Sequence, residues 1–450
     1  MSDLLAARSQ MAMSLAFHIV YAAIGIAMPL MMVLAEWRWI RTGESVYLDL
    51  AKRWAKGTAI LFAVGAVSGT VLSFELGLLW PRFMAAVGAV IGPLFALEGF
   101  AFFTEAIFLG IYLYGWARLP VRLHLAAGVI VAVSGVASAV AVTTVNAWMN
   151  TPTGVEWEHG LPHSIQPWTV MTNPHALHQT IHMVLAAFAA TGLFVAGIHA
   201  FMWLRGSRTA LHRHALAIAL LVGGPPALLQ PLSGDVLARS VAEHQPAKLA
   251  AMEALFDTER GAAFRLGGIP DEARRTVDYV VELPRFLSVL IHLDPDATVT
   301  GLDQFPRQDW PPVAIVHGAF QVMVGAGMIM AGTAIWSAWR WKQGRLLNDR
   351  PLLWTLACAA PLGFLAIEAG WIVTEVGRQP WIVYGMMRTR DAVTPMPGMV
   401  VPFLLFTLLY GLLSLVVLWT MARHVGATQT TSRSTVEERL LPDAAKGARP

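Results

Sequence analysis

The sequence predicts an all-α integral membrane protein of nine transmembrane helices, and three observations predict it. Of 450 residues, 56% are hydrophobic and only 14% charged, against about 25% charged in an ordinary soluble domain. Mean hydropathy is +0.55, too apolar for a chain of this length to cover a water-facing surface. Nine stretches reach the roughly 20 apolar residues that a helix needs to cross hydrocarbon.

In chain order, span 1 (11–35) carries His18 and is followed by Arg38, Arg41, Lys52, Arg53 and Lys56. Span 2 (57–80) holds Glu75, with only Arg82 before span 3. Span 3 (91–116) holds Glu98 and Glu105 and leads to Arg118 and Arg122. Span 4 (124–148) holds Ser134 and Ser138, and no Lys or Arg follows it before span 5. Span 5 (177–204) holds His178 and His182 and precedes Arg205, Arg208 and Arg213. In span 6 (214–234), the run Gly223-Gly224-Pro225-Pro226 is expected to unwind the helix locally. Residues 235–310 form a long outer loop of mixed charge, with helix-like pieces such as Pro246 to Gly261. Span 7 (311–337) holds Met323 and precedes Arg340, Lys342, Arg345 and Arg350; span 8 (352–376) holds Glu368 and Glu375; span 9 is 398–422. The chain divides into helices 1–6 (1–234), the loop (235–310), helices 7–9 (311–424) and a polar tail (425–450) expected to be disordered.

Basic residues gather in alternate loops, which places the N-terminus outside and the C-terminus in the cytoplasm. Arg378, Arg388 and Arg390, after span 8, break that pattern and ask for another explanation. The single cysteine, Cys358, excludes an intramolecular disulfide and a thiolate cluster. No basic block is interleaved with aromatics, so nucleic acid is not an expected partner. The first apolar run is too long for a cleaved signal.

Ionisable groups at membrane depth are expensive and mark function. At 1.5 Å per residue, His18, His182, Met323 and Glu375 fall in one outer layer on different spans, as possible metal or haem ligands. His178 and His182 lie one turn apart, so spacing leaves open which of them faces a cofactor. Glu98 and Glu105 share a helix face two turns apart, as do Glu368 and Glu375. Carboxylates stacked in this way suit a proton relay or a transporter's cation site, and composition separates neither.

The stretch Gly370-Trp371-Ile372-Val373-Thr374-Glu375-Val376-Gly377-Arg378-Gln379-Pro380-Trp381 resembles the GW…E.GRQPW signature of subunit I of the cytochrome bd quinol oxidases. His18, Glu98-Gly99-Phe100 through Glu105, Asn146 to Gly154, the His182 segment and Gln321 to Gly325 are similar as well. Lys248 through Glu253 looks like the family's quinol-loop motif, K..A.E.

The resemblance implies three haems and no copper, with His182 and Met323 the axial pair of low-spin haem b558. His18 and Glu375 would each ligate one high-spin haem, His18 leaning to haem d (or a haem b in its place) and Glu375 to b595. Glu98 and Glu105 would line the path of cytoplasmic protons, and Lys248 and Glu253 would meet quinol. Arg378 would neutralise propionates or the Glu375 carboxylate, and Trp371 would pack on a haem. A membrane-embedded subunit II, a small single-helix subunit, quinol, oxygen and the lipid bilayer would be the partners, in the bacterial cytoplasmic (inner) membrane. Gln321, two residues before Met323, stands where the commoner pattern has Arg, and Glu75-Leu76-Gly77-Leu78-Leu79-Trp80 departs from it too. Both departures, with Tyr384 to Pro395, resemble the cyanide-insensitive subgroup. The reading from another class is a proton- or cation-coupled transporter built on the same carboxylates, which would have no haem bands.

Overall fold

The computed structural model describes residues 1–158 and 161–440, with side chains to residue 423 apart from Leu161. Among them, nine helices are long and apolar enough to cross a membrane: Asp3–Thr42, Ser45–Leu79, Pro81–Tyr114, Val121–Asn150, Ala176–Leu204, Ala210–His244, Val313–Lys342, Arg350–Val376 and Val400–Arg423. Several overrun their apolar stretches, because caps rather than hydropathy end a helix. The first starts where the Ser2 hydroxyl accepts the Leu5 N–H at 3.3 Å. It stops at Gly43, whose φ of +72° lets its N–H turn back to the Trp39 carbonyl. The last helix continues as Val400–Leu440 through part of the tail expected to be disordered, and residues 441–450 lie outside the described residues.

Two expectations need correction. Span 6 is not unwound: the helix Ala210–His244 runs through Pro225, Pro226 and Pro231. Its glycine serves packing instead, since a Cβ on Gly223 would stand 2.8 Å from the backbone of Gly192 in span 5. Span 8 is the interrupted one, Arg350–Ala359 and Leu362–Val376, with Pro361 at the break.

The long loop is not simply helical. A short helix, Pro246–Met252, ends before Ala254 takes φ +48°. Phe264–Asp271 then pairs antiparallel with Thr276–Leu283, the latter rich in the β-branched and aromatic residues that suit a strand. Among the described residues, Glu259–Arg260 pairs with Thr298–Val299 in the same loop, and Val155–Glu158 with Leu161–Ile165 and Trp381–Val383 with Met387–Arg388 form ribbons in other connections.

Spans 5, 6, 7 and 8 form a ring in which each packs on its two neighbours, while span 4 packs against spans 1, 3 and 5. Two of the three arginines that break the charge pattern have local partners, while Arg390 has only an exposed 3.7 Å contact to Asp391. Arg378 pairs with Glu375 at 2.6 Å, and Arg388 pairs with Asp309 at 2.5 Å while lying over the Trp381 ring.

Candidate functional site

Both candidate imidazole ligands are held in one tautomer. Ser68 spends its hydroxyl hydrogen on the Val64 and Gly65 carbonyls, so at 3.0 Å it accepts from His18 Nδ1. Ser233 likewise donates to the Gln230 carbonyl and accepts from His182 Nδ1 at 2.9 Å. Each ring therefore keeps the Nε2 lone pair free to accept, as an iron ligand requires. In His182 that lone pair receives the Gln230 amide at 3.0 Å. His178, one turn earlier, has a buried Nδ1 with no partner.

The four ligand spans converge. Ile19, beside His18, packs in one apolar cluster with Met183, beside His182, and with Trp371. Met323 reaches the same place from span 7: a Cβ on Gly370, next to Trp371, would press on its sulfur at 3.1 Å. A Cβ on Gly69 would do the same to the His18 ring, at 2.9 Å.

At the end of span 8 the Glu375 carboxylate accepts from Arg378 on one oxygen, at 2.6 Å, and from the Asn146 amide on the other. Asn146 Oδ1 in turn accepts from Gln179 at 2.7 Å and from Asn150 at 3.0 Å. Asn150 Oδ1 accepts the Lys248 ammonium at 2.6 Å. Lys248, from the short helix of the outer loop, thus reaches inward to the Glu375 neighbourhood. Burial, then Arg378, push its pKa well below the ordinary ammonium range, with Glu375 opposing.

Glu253 is also buried, 3% exposed, but it faces the hairpin rather than Lys248. Burial pushes its carboxyl up to about 8, against the pull of Arg265 and its backbone N–H. Its Oε2 has no partner. Neither residue is the solvated ion pair that an exposed helix would give. Gln321 ties the same hairpin to span 7: its amide donates to the Arg265 carbonyl at 2.8 Å and accepts the Gly267 N–H at 3.0 Å.

Glu98 accepts from Ser138 at 3.1 Å. Glu105 lies two turns on, buried between Gly25 of span 1 and Gly135 of span 4. The sequence reading missed what continues this seam. Tyr112, seven residues further, is fully buried against Gly128, and beside it His124 Nδ1 meets Glu36 Oε1 at 2.7 Å while Nε2 meets the Tyr112 carbonyl at 2.9 Å. Both ring nitrogens thus have oxygen partners within the buried seam. The signal was the seven-residue repeat 98, 105, 112.

The residues fit porphyrins better than a bare metal ion. Among the described residues no three His, Cys, Asp or Glu gather as a metal cluster. The candidate ligands stand singly, as axial ligands do. Arg378 Nε and Nη1 and Trp371 Nε1 are buried without partners. Donors of this kind match anionic propionates.

Comparison with known proteins places these residues in context. The family model for cytochrome bd terminal oxidase subunit I matches residues 6–429. A putative cytochrome bd menaquinol oxidase subunit I of Bacillus subtilis (strain 168) is 37% identical over 94% of this chain and 96% of its own length. A cytochrome bd ubiquinol oxidase subunit 1 of the same organism is 32% identical over 88% and 87%. The structure of the bd oxidase from Geobacillus thermodenitrificans superposes with a TM-score of 0.88 at 38% identity, covering 94% of this chain and 98% of that one.

Proposed function

This chain belongs to the family of cytochrome bd terminal oxidase subunit I, and on that premise we propose how its residues divide the work of oxidising quinol and reducing oxygen. It is a multi-pass protein of the bacterial inner membrane, a quinol oxidase subunit that works with haem and with a subunit II. His182 and Met323 would hold low-spin haem b558; His18 would hold haem d, or a haem b in its place, and Glu375 would hold b595. The observation that carries this reading is the paired tautomer control of His18 and His182 by Ser68 and Ser233, which aims an unprotonated nitrogen from each ring. The chemistry that haem supplies when bound is one-electron transfer and the reduction of oxygen.

Quinol meets the outer loop near Lys248 and Glu253. The Glu253 carboxyl, lifted by burial to about 8, takes a proton from quinol and passes it outward. Arg378 compensates the charge of Glu375 and directs its free N–H groups at propionates. Trp371 walls the haem layer beside His18 and Met323. On the arginine-rich side, the Glu36–His124 pair and Tyr112 receive cytoplasmic protons, which pass to Glu105 and then to Glu98 with Ser138. Waters bridge the roughly 10 Å between successive stations, which is too far for direct transfer. Charge is separated because protons and electrons reach oxygen from opposite faces, with no pump. Gln321 and the other departures support reading the chain as one of the cyanide-insensitive members.

A reduced-minus-oxidised spectrum of the purified complex, taken with quinol as reductant, tests this. Low-spin b and high-spin bands should appear together. A protein without haem bands would be the coupled transporter instead.

A further inference from the structure

Four side chains from three elements run donor to acceptor between the outer loop and the carboxylate of span 8. Lys248 donates to Asn150, Asn150 to Asn146, and Asn146 to Glu375. We propose that Lys248 is a positioning residue for Glu375, acting through Asn150 and Asn146, so that what Lys248 binds at the loop is felt at the haem ligand. The inference rests on reading Glu375 as a haem ligand and the Lys248 helix as part of the quinol site.

The physical reason lies in the ends of the chain. A primary amide can point either way round, because it offers a carbonyl on one side and an NH2 on the other. Lys248 donates at one end, and Glu375, already holding the Arg378 guanidinium, accepts at the other, so together they set both amides in one direction. Asn150 is fully buried and uses its amide nitrogen twice, to the Asn146 carbonyl at 2.9 Å and to Asn146 Oδ1 at 3.0 Å. Turning it over would set its NH2 against the Lys248 ammonium and its oxygen against Asn146 Oδ1.

Gln179 also donates to Asn146, yet its own Oε1 is buried without a partner, so nothing visible fixes its direction. The fixed donor is the lysine. Its stem runs close over span 8, where a Cβ on Gly377 would stand 3.0 Å from Lys248 Cγ. An ammonium has three donors, and Asn150 takes one. That leaves donors for a quinol oxygen at this buried position, and a shift of Lys248 toward quinol loosens the donor aimed at Glu375.

The test uses the purified complex with its haems, in parent, Lys248→Met, Asn150→Leu and the double variant. Loss of the Glu375 haem to an apomyoglobin scavenger is followed by absorbance, with the b558 band reporting the fold. Each single variant should lose that haem about 10- to 100-fold faster, the range for removing an outer-shell partner. The double should be no faster than the faster single, because one chain breaks only once. Lys248→Arg, again a pure donor, should recover most of the retention. A hydroxyquinoline N-oxide, as a quinol analogue, should alter haem loss in the parent and not in Asn150→Leu. Parental retention in Lys248→Met, or a double variant whose effect is the product of the singles, would overturn the proposal. If Asn150→Leu loses b558 too, Lys248→Met against Lys248→Arg decides alone. If Glu375→Ala in the parent background leaves every haem in place, the ligand assignment fails rather than the link from Lys248.

Discussion

Met323 shows how much a single residue's surroundings add to its identity. With 20 Met in the chain, a thioether in an apolar run carries no signal by itself. Set against Gly370 beside Trp371, it occupies a place that a side chain at 370 would press on. Met323→Leu keeps size and apolarity and removes the sulfur, so the low-spin b558 band should weaken or turn high-spin, and a parental spectrum would take Met323 out of the site. Glu253 makes a prediction in pH. The form that accepts a quinol proton is the carboxylate, and with a folded pKa of about 8 that form is scarce at neutral pH and fills as pH rises. Where quinol deprotonation limits turnover, the rate should climb through pH 8 and level above it. Glu253→Gln should be slower and flat over the same range; a parental profile in the variant would move the proton acceptor elsewhere. His18, His182, Met323 and Glu375 could be singled out in the chain as candidate ligands. Their fixed tautomers and hydrogen-bond partners were not, because Ser68, Ser233 and Asn146 lie far off in sequence and meet them only through helix packing.

At the scale of elements, the spans could be read because crossing hydrocarbon demands a length and a composition that little else does. Their ends could not, since a cap such as Ser2 or Gly43 acts outside the apolar run. The Gly-Pro run of span 6 misled for a related reason. Glycine loosens a lone helix, whereas Gly223 against Gly192 lets two helices approach, and neighbouring helices tolerate proline in a membrane. The hairpin of residues 264–283 was masked by its mixed charge. The seam of spans 1, 3 and 4 carries a prediction of its own. His124 and Glu36 have side-chain exposures of 3% and 0%, so neither meets water when its partner is removed. His124→Leu should lower stability by about 3–5 kcal/mol, the cost of an uncompensated buried charge. Glu36→Leu with His124→Leu should recover much of it, as thermal denaturation of the complex followed at the haem bands would show. Equal losses in the single and the double would mean that the pair holds no charge in the folded state.

At the scale of the whole molecule, the question is which way the two faces point. The loops after spans 1, 3, 5 and 7 hold the basic clusters, and two of the exceptions after span 8 are spent locally: Arg378 on Glu375, and Arg388 on Asp309 and the Trp381 ring. The count of basic residues over the short loops between spans still supports the proposed orientation, with the cytoplasmic face opposite the 235–310 loop. Lys248 and Glu253 then stand on the outer side, and Glu36, His124 and Tyr112 on the inner side of Glu105. On the proposed reading, electrons from quinol and protons from the cytoplasm would approach oxygen from opposite faces, with one proton taken inward for each electron. Glu105→Gln keeps shape and hydrogen bonding but carries no exchangeable carboxyl proton. In proteoliposomes of the intact complex driven by quinol, the parent should release protons outside in step with the electrons passed, and no more. The Glu105→Gln complex should stay reducible by quinol, with oxygen consumption and potential build-up falling together. Protons in excess of electrons would point to a pump, and parental oxygen consumption by Glu105→Gln at every pH would remove that carboxyl from the obligatory path.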